Sequence, residues 1–356
     1  MKRILIIAGG TGGHIFPALA VARALRQQDI EIHWLGTASG LEKKLVSPEF
    51  PLRFIQMKAL RGKGLVQKFF IPFRLMRAIF QSYRVIQRVK PKVILGMGGY
   101  VAGPVGFAAW LTRTPIVIHE QNAVAGLTNR ILAKMARSIL QAFPNAFIDK
   151  KNVKTIGNPI RIELVNTPLP RARLINRKGP LRVLVLGGSQ GARPINQKMV
   201  TTLRNYPYSQ ELIIWHQTGQ SDFKWLKEVY KTLPLETRVD AFIDDIAEAY
   251  TWTDLIVCRS GALTVSEIAA VGIASILIPY PYAADDHQFH NGRFLEKAGA
   301  AIIIPEKSLT EKGLIHYFEQ FARDRQRLLT MAECARSLSE LTAVQSVMNE
   351  CKKILL

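Results

Sequence analysis

His14 closes a glycine-rich run, Gly9-Gly10-Thr11-Gly12-Gly13, and directly precedes Ile15-Phe16-Pro17. Proline suits a first helical turn, so the spacing puts the imidazole where a loop opens into a helix. There a neutral histidine can act as a general base, or can simply hydrogen-bond the turn. A second run, Gly187-Gly188-Ser189-Gln190-Gly191, has the same character. Such loops bring backbone N–H groups and a helix N-terminus up to an anion, which makes both candidate phosphate cradles, although a tight strand-to-helix turn also explains the glycines.

Four more groups carry polar chemistry. The loop Gly96-Met97-Gly98-Gly99-Tyr100-Val101-Ala102-Gly103-Pro104 follows a short apolar run, as does His119-Glu120-Gln121-Asn122. Glu120 there is either a reacting carboxylate or a helix cap. Cys258-Arg259-Ser260-Gly261-Ala262-Leu263-Thr264-Val265-Ser266-Glu267 places small residues where amides could meet a diphosphate. Glu267 then falls about two turns into the next helix, positioned to accept from ribose hydroxyls or else an ordinary surface carboxylate. Asp285-Asp286-His287-Gln288-Phe289-His290-Asn291 suits sugar hydroxyls, and it lacks a second histidine-carboxylate set that would make it a metal site.

These loops need strands to hold them. Apolar runs at 4–8, 30–35, 93–95 and 116–118 alternate with helix-patterned stretches, the rhythm of parallel βαβ units. The rhythm restarts after the Pro-rich stretch 158–180, with candidate strands at 181–186, 211–216, 239–242, 255–257 and 275–279. The chain therefore reads as α/β, two similar doubly wound domains, with a last helix near 341–356 free to pack on either. In open parallel sheets ligands sit at the C-terminal strand ends, where all these loops fall. A nicotinamide dinucleotide fold is disfavoured, because Ile15 and Ser189 break Gly-x-Gly-x-x-Gly and Glu31 begins the next strand instead of ending it.

At 356 residues the chain suits two domains, and it contains no apolar run long enough to span a bilayer. Three cysteines without ligand spacing, Cys258, Cys334 and Cys351, suit a reducing compartment. With 48 basic and 27 acidic residues the formal charge is +21, which favours an anionic partner. Residues 58–92 hold Arg74, Arg77, Arg84 and Arg88 among other cations and no acid. The helical period sets those arginines on one face, with Phe69, Phe73, Met76, Phe80 and Tyr83 on the other side. That side either meets a lipid interface or packs inside the domain. Charge alone would also suit nucleic acid, but no recognised module is present.

The strings GGTGGHIFPALAVA, GMGGYVAGP, HEQNAVAGLTNR, GNPIR, GGSQGA, FIDD, CRSGALTVSEIAA and DDHQFHN, in this order, closely resemble the MurG family of undecaprenyl-diphospho-muramoylpentapeptide N-acetylglucosaminyltransferases. The resemblance implies a GT-B glycosyltransferase fold with two Rossmann-like domains facing across a cleft: 1–158 with 340–356 for the acceptor, 159–339 for UDP-GlcNAc. It implies inverting transfer of GlcNAc from UDP-GlcNAc to the MurNAc C4 hydroxyl of lipid I, giving lipid II and UDP in peptidoglycan synthesis. By the same resemblance Ser189, Ile243, Ala262, Leu263, Thr264, Val265, Ser266, Glu267 and Arg161 would contact UDP, and Gln288 and Asn122 the GlcNAc. Thr11, Gly12 and Gly13 would serve UDP-GlcNAc or line the acceptor diphosphate and cleft, and Gly98, Gly99 and Tyr100 would bind the acceptor. His14 would be the base, with Arg259 stabilising charge on the departing UDP and Glu120 a further catalytic candidate. No cofactor or bound metal is implied. The implied partners are the two substrates, an anionic membrane surface on the cytoplasmic face, and other cell-wall synthesis proteins, with no nucleic acid. UDP-GlcNAc 2-epimerases share such halves, but the acceptor-side strings GMGGY and HEQN argue against them.

Overall fold

A computed structural model describes the whole chain except residues 1, 11, 39–40, 58–70, 149, 151, 189 and 356. It divides into two units, residues 1–161 with 340–356, and residues 162–339.

The first unit is built on β1 (Arg3–Ile7), β2 (Glu31–Thr37), β3 (Leu52–Ile55), β4 (Val93–Gly96), β5 (Ile116–Glu120), β6 (Ser138–Gln141) and β7 (Val153–Thr155). They form a parallel sheet in the order β3-β2-β1-β4-β5-β6-β7. Side chains alternate along β1. Ile4 and Ile6 pack beneath the helices Gly12–Arg26 and Ala343–Leu355, through Ile15, Leu19, Val347 and Met348. Leu5 and Ile7 pack on the other face, under Ile71–Val89, Ala102–Leu111 and Leu127–Leu132, through Ala78, Ile86, Val105 and Leu132. The final helix thus returns to the first unit, where Glu350 takes hydrogen bonds from Ser138 at 3.0 Å and pairs with Lys154 at 2.8 Å.

The second unit repeats the plan with β8 (Leu181–Leu186), β9 (Leu212–Gln217), β10 (Glu236–Asp240), β11 (Leu255–Cys258), β12 (Ala274–Leu277) and β13 (Ala301–Ile303), in the order β10-β9-β8-β11-β12-β13. All its pairs are parallel. Both sheets reverse their winding beside the first strand of the unit, between β1 and β4 and between β8 and β11. That reversal is the topological switch point of a doubly wound sheet.

Four strands escaped the apolar-run criterion: β3, β6, β7 and β13. β3 and β7 are short, with exposed positions, and β3, β7 and β13 lie at or beside sheet edges, where both faces need not be apolar. The strand expected at 239–242 lies instead at Glu236–Asp240, an edge position that accepts polar residues, and Phe242 is exposed beyond its end. The strand expected at 116–118 continues through Glu120, whose side chain is buried. The first helix begins at Gly12, so Pro17 sits a turn deeper than expected and is buried within it.

Gly99 has φ of +89°, and a Cβ there would collide with the Gly9 carbonyl oxygen. Gly99→Ala is therefore expected to lower stability by about 1–3 kcal/mol, read from urea unfolding. Gly103→Ala, with only Thr128 Cγ2 nearby at 3.7 Å inside a helix, is expected to be neutral or to stabilise by up to about 1 kcal/mol.

Candidate functional site

In the first unit, the loops after β1, β4 and β5 meet at the C-terminal rim. His14 lies in the first turn of the helix Gly12–Arg26, half-buried. Its Nδ1 is 3.1 Å from Gln121 Oε1. Gly98, with φ of +94°, makes room for the ring: a Cβ there would stand 2.6 Å from His14 Nδ1. Gln121 is itself buried, and its Nε2 donates to the Met97 carbonyl at 2.8 Å. Tyr100 reaches across to β2, its hydroxyl 3.1 Å from Thr37 Oγ1. Glu42, fully buried, underlies this rim, accepting from the Thr37 amide at 3.2 Å and the Gly10 amide at 3.4 Å. Gly12, Gly13, Gly99 and Gly98 are thus gathered at one rim with His14, while Thr11 lies outside the described residues.

Glu120 takes the capping role that the sequence left open. Its carboxylate, buried at the end of β5, accepts four hydrogen bonds: from the Asn122 amide and Nδ2 at 3.0 and 3.1 Å, the Gly126 amide at 3.1 Å and Asn129 Nδ2 at 2.8 Å. With both oxygens occupied it shapes the turn that carries Asn122 and starts the helix Leu127–Leu132. His119 beside it is wholly buried and its Nε2 donates to the Gly157 carbonyl at 2.9 Å. Burial holds its pKa down at about 4. Arg161 packs its guanidinium 5.0 Å from the Phe16 ring centroid.

In the second unit the loops after β8, β9, β10, β11 and β12 form the corresponding rim. The helix Ala262–Val271 opens from Gly261 with no side-chain cap, as an anion-facing N-terminus requires. Leu263, Thr264 and Ser266 are half-buried, whereas Ala262 and Val265 are buried, and the Val265 amide closes the first turn by donating to the Gly261 carbonyl at 2.9 Å. Glu267 is buried and accepts from the Tyr250 hydroxyl at 3.0 Å, which excludes the ordinary surface carboxylate. Ile243 is buried, and its amide donates to Gln217 Oε1 at 3.0 Å. Gln217 in turn donates to the Gly188 carbonyl at 3.0 Å, tying that loop to residue 243. Ser189 lies outside the described residues. Gln288 Oε1 accepts from the Tyr280 amide at 2.9 Å, which leaves its Nε2 for a ligand.

Arg259 braces the turn at 278–280. Its guanidinium donates to the Ile278 and Pro279 carbonyls at 3.1 and 3.2 Å and pairs with Glu306.

The helix Ile71–Val89 also differs from its sequence reading. Ala78, Ser82, Ile86 and Val89 face the core. Phe73, Met76 and Phe80 are exposed, at 61%, 64% and 59%, and adjoin Arg74, Arg77, Arg84 and Arg88 on the solvent side. Apolar and basic residues are neighbouring outward sectors, with the buried stripe behind both. Phe69 lies outside the described residues. Trp110 and Leu111 on Ala102–Leu111, and Leu127 and Ile131 on Leu127–Leu132, are exposed on helices covering the same sheet face.

Residues 4–141 match the glycosyltransferase family 28 N-terminal domain and residues 182–349 its C-terminal domain. The chain is 64% identical over 353 residues to the UDP-N-acetylglucosamine--N-acetylmuramyl-(pentapeptide) pyrophosphoryl-undecaprenol N-acetylglucosamine transferase of Coxiella burnetii, covering 99% of both chains. It is similar to the crystal structure of Acinetobacter baumannii MurG, with TM-score 0.86 and 37% identity over 99% of this chain and 100% of that one. This chain belongs to the MurG branch of glycosyltransferase family 28. The MurG family carries the GT-B fold, in keeping with the two Rossmann-like units. A UDP-N-acetylglucosamine 2-epimerase structure from Listeria monocytogenes matches at TM-score 0.70 over 99% of this chain and 96% of that one, but at 14% identity it shares the fold alone.

Gln121, Gln217, Glu42 and Tyr250 were not singled out by sequence. Only Gln121 carried a signal, its place in HEQN.

A pH dependence of stability follows from two buried histidines. His119 stays neutral to about pH 4 and His216, with no cause but burial, to about pH 3. Unfolded, each takes a proton near pH 6.5. The unfolded chain therefore binds more protons below that pH, and stability, fully present above it, is lost as pH falls from 6.5 toward 4. Urea unfolding between pH 7 and about pH 4.5 should show this slope, shallower in His216→Asn if the variant folds.

Proposed function

We propose that this chain transfers GlcNAc from UDP-GlcNAc to the muramoyl C4 hydroxyl of lipid I, with inversion, giving lipid II and UDP. The whole-length 64% identity to the Coxiella burnetii transferase carries the reading, since the match covers 99% of each chain.

The donor is assigned to the second unit. The N-terminus of Ala262–Val271, which has no side-chain cap, takes the diphosphate through first-turn main-chain amides such as those of Leu263 and Thr264, and Glu267 accepts from the ribose. With its amide bonded to Gln217, Ile243 offers its carbonyl to the base. Gln288 Nε2 reaches the sugar. The acceptor is assigned to the first unit, where the loops of Gly12–Gly13 and Gly98–Tyr100 receive its diphosphate. Asn122 serves the GlcNAc and Arg161 the UDP.

His14 takes the C4 hydroxyl proton as that oxygen bonds to the anomeric carbon. The bond from that carbon to the UDP oxygen breaks on the opposite side, and its electron pair leaves with UDP. Amides aimed at the diphosphate stabilise the departing charge, since Arg259 is already paired.

The exposed Phe73, Met76, Phe80 and Trp110, with the arginines alongside, support docking on an anionic membrane surface where a lipid-linked acceptor resides. No described helix is long and apolar enough to cross a membrane.

Radiolabelled transfer to a lipid I analogue tests the reaction. His14→Ala is expected to lose about 10²–10⁴-fold in kcat with UDP binding retained, and full activity would remove His14 as the base. The membrane face is tested by vesicle sedimentation. Reversing Arg74 and Arg77 to Glu removes at least about 2 kcal/mol of attraction, so partitioning to vesicles rich in anionic lipid should fall about 30-fold or more. Unchanged partitioning would sink that surface.

A further inference from the structure

We infer that Gln121 is a positioning residue that sets which nitrogen of His14 is the base, an inference that rests on the reading of His14 above. The structure places Gln121 Nε2 2.8 Å from the Met97 carbonyl oxygen. A carbonyl can only accept, so the nitrogen of the Gln121 amide must face Met97 and its oxygen must face His14. The reversed amide would set two oxygens against each other in a buried place, since Gln121 is 2% exposed.

With Gln121 Oε1 fixed 3.1 Å from His14 Nδ1, that nitrogen has to carry the hydrogen. The other nitrogen, Nε2, is then the lone-pair site, and it has no hydrogen-bond partner among the described residues. The contact also depends on Gly98. A Cβ at that position would stand 2.6 Å from His14 Nδ1 and 3.1 Å from Gln121 Oε1, so any side chain would wedge the pair apart. Gln121 is held in turn by its own main chain, whose carbonyl accepts from Asn158 Nδ2 at 3.0 Å.

The consequence is a base in one tautomer before substrate arrives. A free neutral imidazole divides its hydrogen between two nitrogens; here the Met97–Gln121–His14 chain leaves one choice. The amide stays neutral throughout, so it directs the proton without competing for it. When His14 becomes protonated, both nitrogens donate, and the Nδ1 bond to Gln121 persists.

The imidazole ¹⁵N shifts of uniformly labelled protein near neutral pH, with His14 identified by the signals missing in His14→Asn, read the tautomer directly. A hydrogen on Nδ1 and a bare Nε2 are expected; a hydrogen on Nε2 would overturn the assignment. Gln121→Leu removes the acceptor, so a mixed tautomer and a roughly 10- to 100-fold lower kcat are expected, with the KM for UDP-GlcNAc unchanged. An unaltered tautomer or an unaltered kcat in a folded variant would also overturn it. If Gln121→Leu does not fold, the wild-type spectrum decides. Full activity in His14→Ala would defeat the base reading alone, because the tautomer is read independently of turnover.

Discussion

A parallel sheet cannot reverse its winding without leaving a gap. Crossovers from the strands on either side of the reversal leave toward opposite faces, so the loops that depart there have no helix above them. In this chain the gap falls between β1 and β4, and again between β8 and β11. The glycine-rich loops gather at that position. The glycine runs follow β1 and β8, and the GMGGY and CRSGA loops follow β4 and β11. Their glycines answer to local geometry, as where Gly99 runs against the Gly9 carbonyl. A loop free of side chains at a helix start is also one whose amides can approach phosphate, so the same economy of space serves folding and binding.

The second constraint is that a rim cut into a buried sheet puts polar side chains out of reach of water, where each must find a partner. Three imidazoles show how orientation results. His119 has its hydrogen drawn to Nε2 by the Gly157 carbonyl, and His14 to Nδ1 through Gln121. His216 in the second unit stands 3.0 Å from Asn196 Oδ1, whose amide nitrogen is committed to the Thr218 carbonyl at 2.9 Å. In each an obligate acceptor starts the chain, so the tautomer is built in. Glu120 and Arg259 belong to the same scaffolding: their charges are consumed by the turns they hold. Charged groups beside a site are therefore poor guides to chemistry until their partners are known.

What the sequence revealed and what it hid divides along that line. Apolar runs ending in glycine gave away the central strands, because those strands are buried on both faces and tolerate little else. Edge strands such as Leu52–Ile55 and Val153–Thr155 escaped, since polar residues are permitted there. His14 was legible because histidine is scarce and its place at a loop-to-helix junction is unusual. Gln121 was not, because a neutral amide acquires its role only from the Met97 carbonyl on one side and an imidazole on the other. Glu267 could not be told from a surface carboxylate until Tyr250 was seen to bury it. Periodicity found the helix Ile71–Val89 but assigned it two faces; it has three, since tertiary packing takes the stripe of Ala78, Ser82 and Ile86 and leaves the aromatics outside.

That third face bears on how a water-exposed chain would handle a lipid-linked acceptor. Electrostatic attraction reaches about 8–10 Å in physiological salt, whereas apolar contact acts only once surfaces touch. A formal charge of +21, with arginines gathered on one helix, therefore suits capture, and the neighbouring phenylalanines and methionine suit retention. Separating the two tasks onto adjoining sectors of one helix lets both meet the same surface, which opposed faces could not do. The aromatics and the arginines lie on helices covering one face of the first sheet, while the glycine loops after β1 and β4 lie at its C-terminal rim. A lipid-linked diphosphate anchored beside that face would thus approach the His14 rim from the side on which its tail is held.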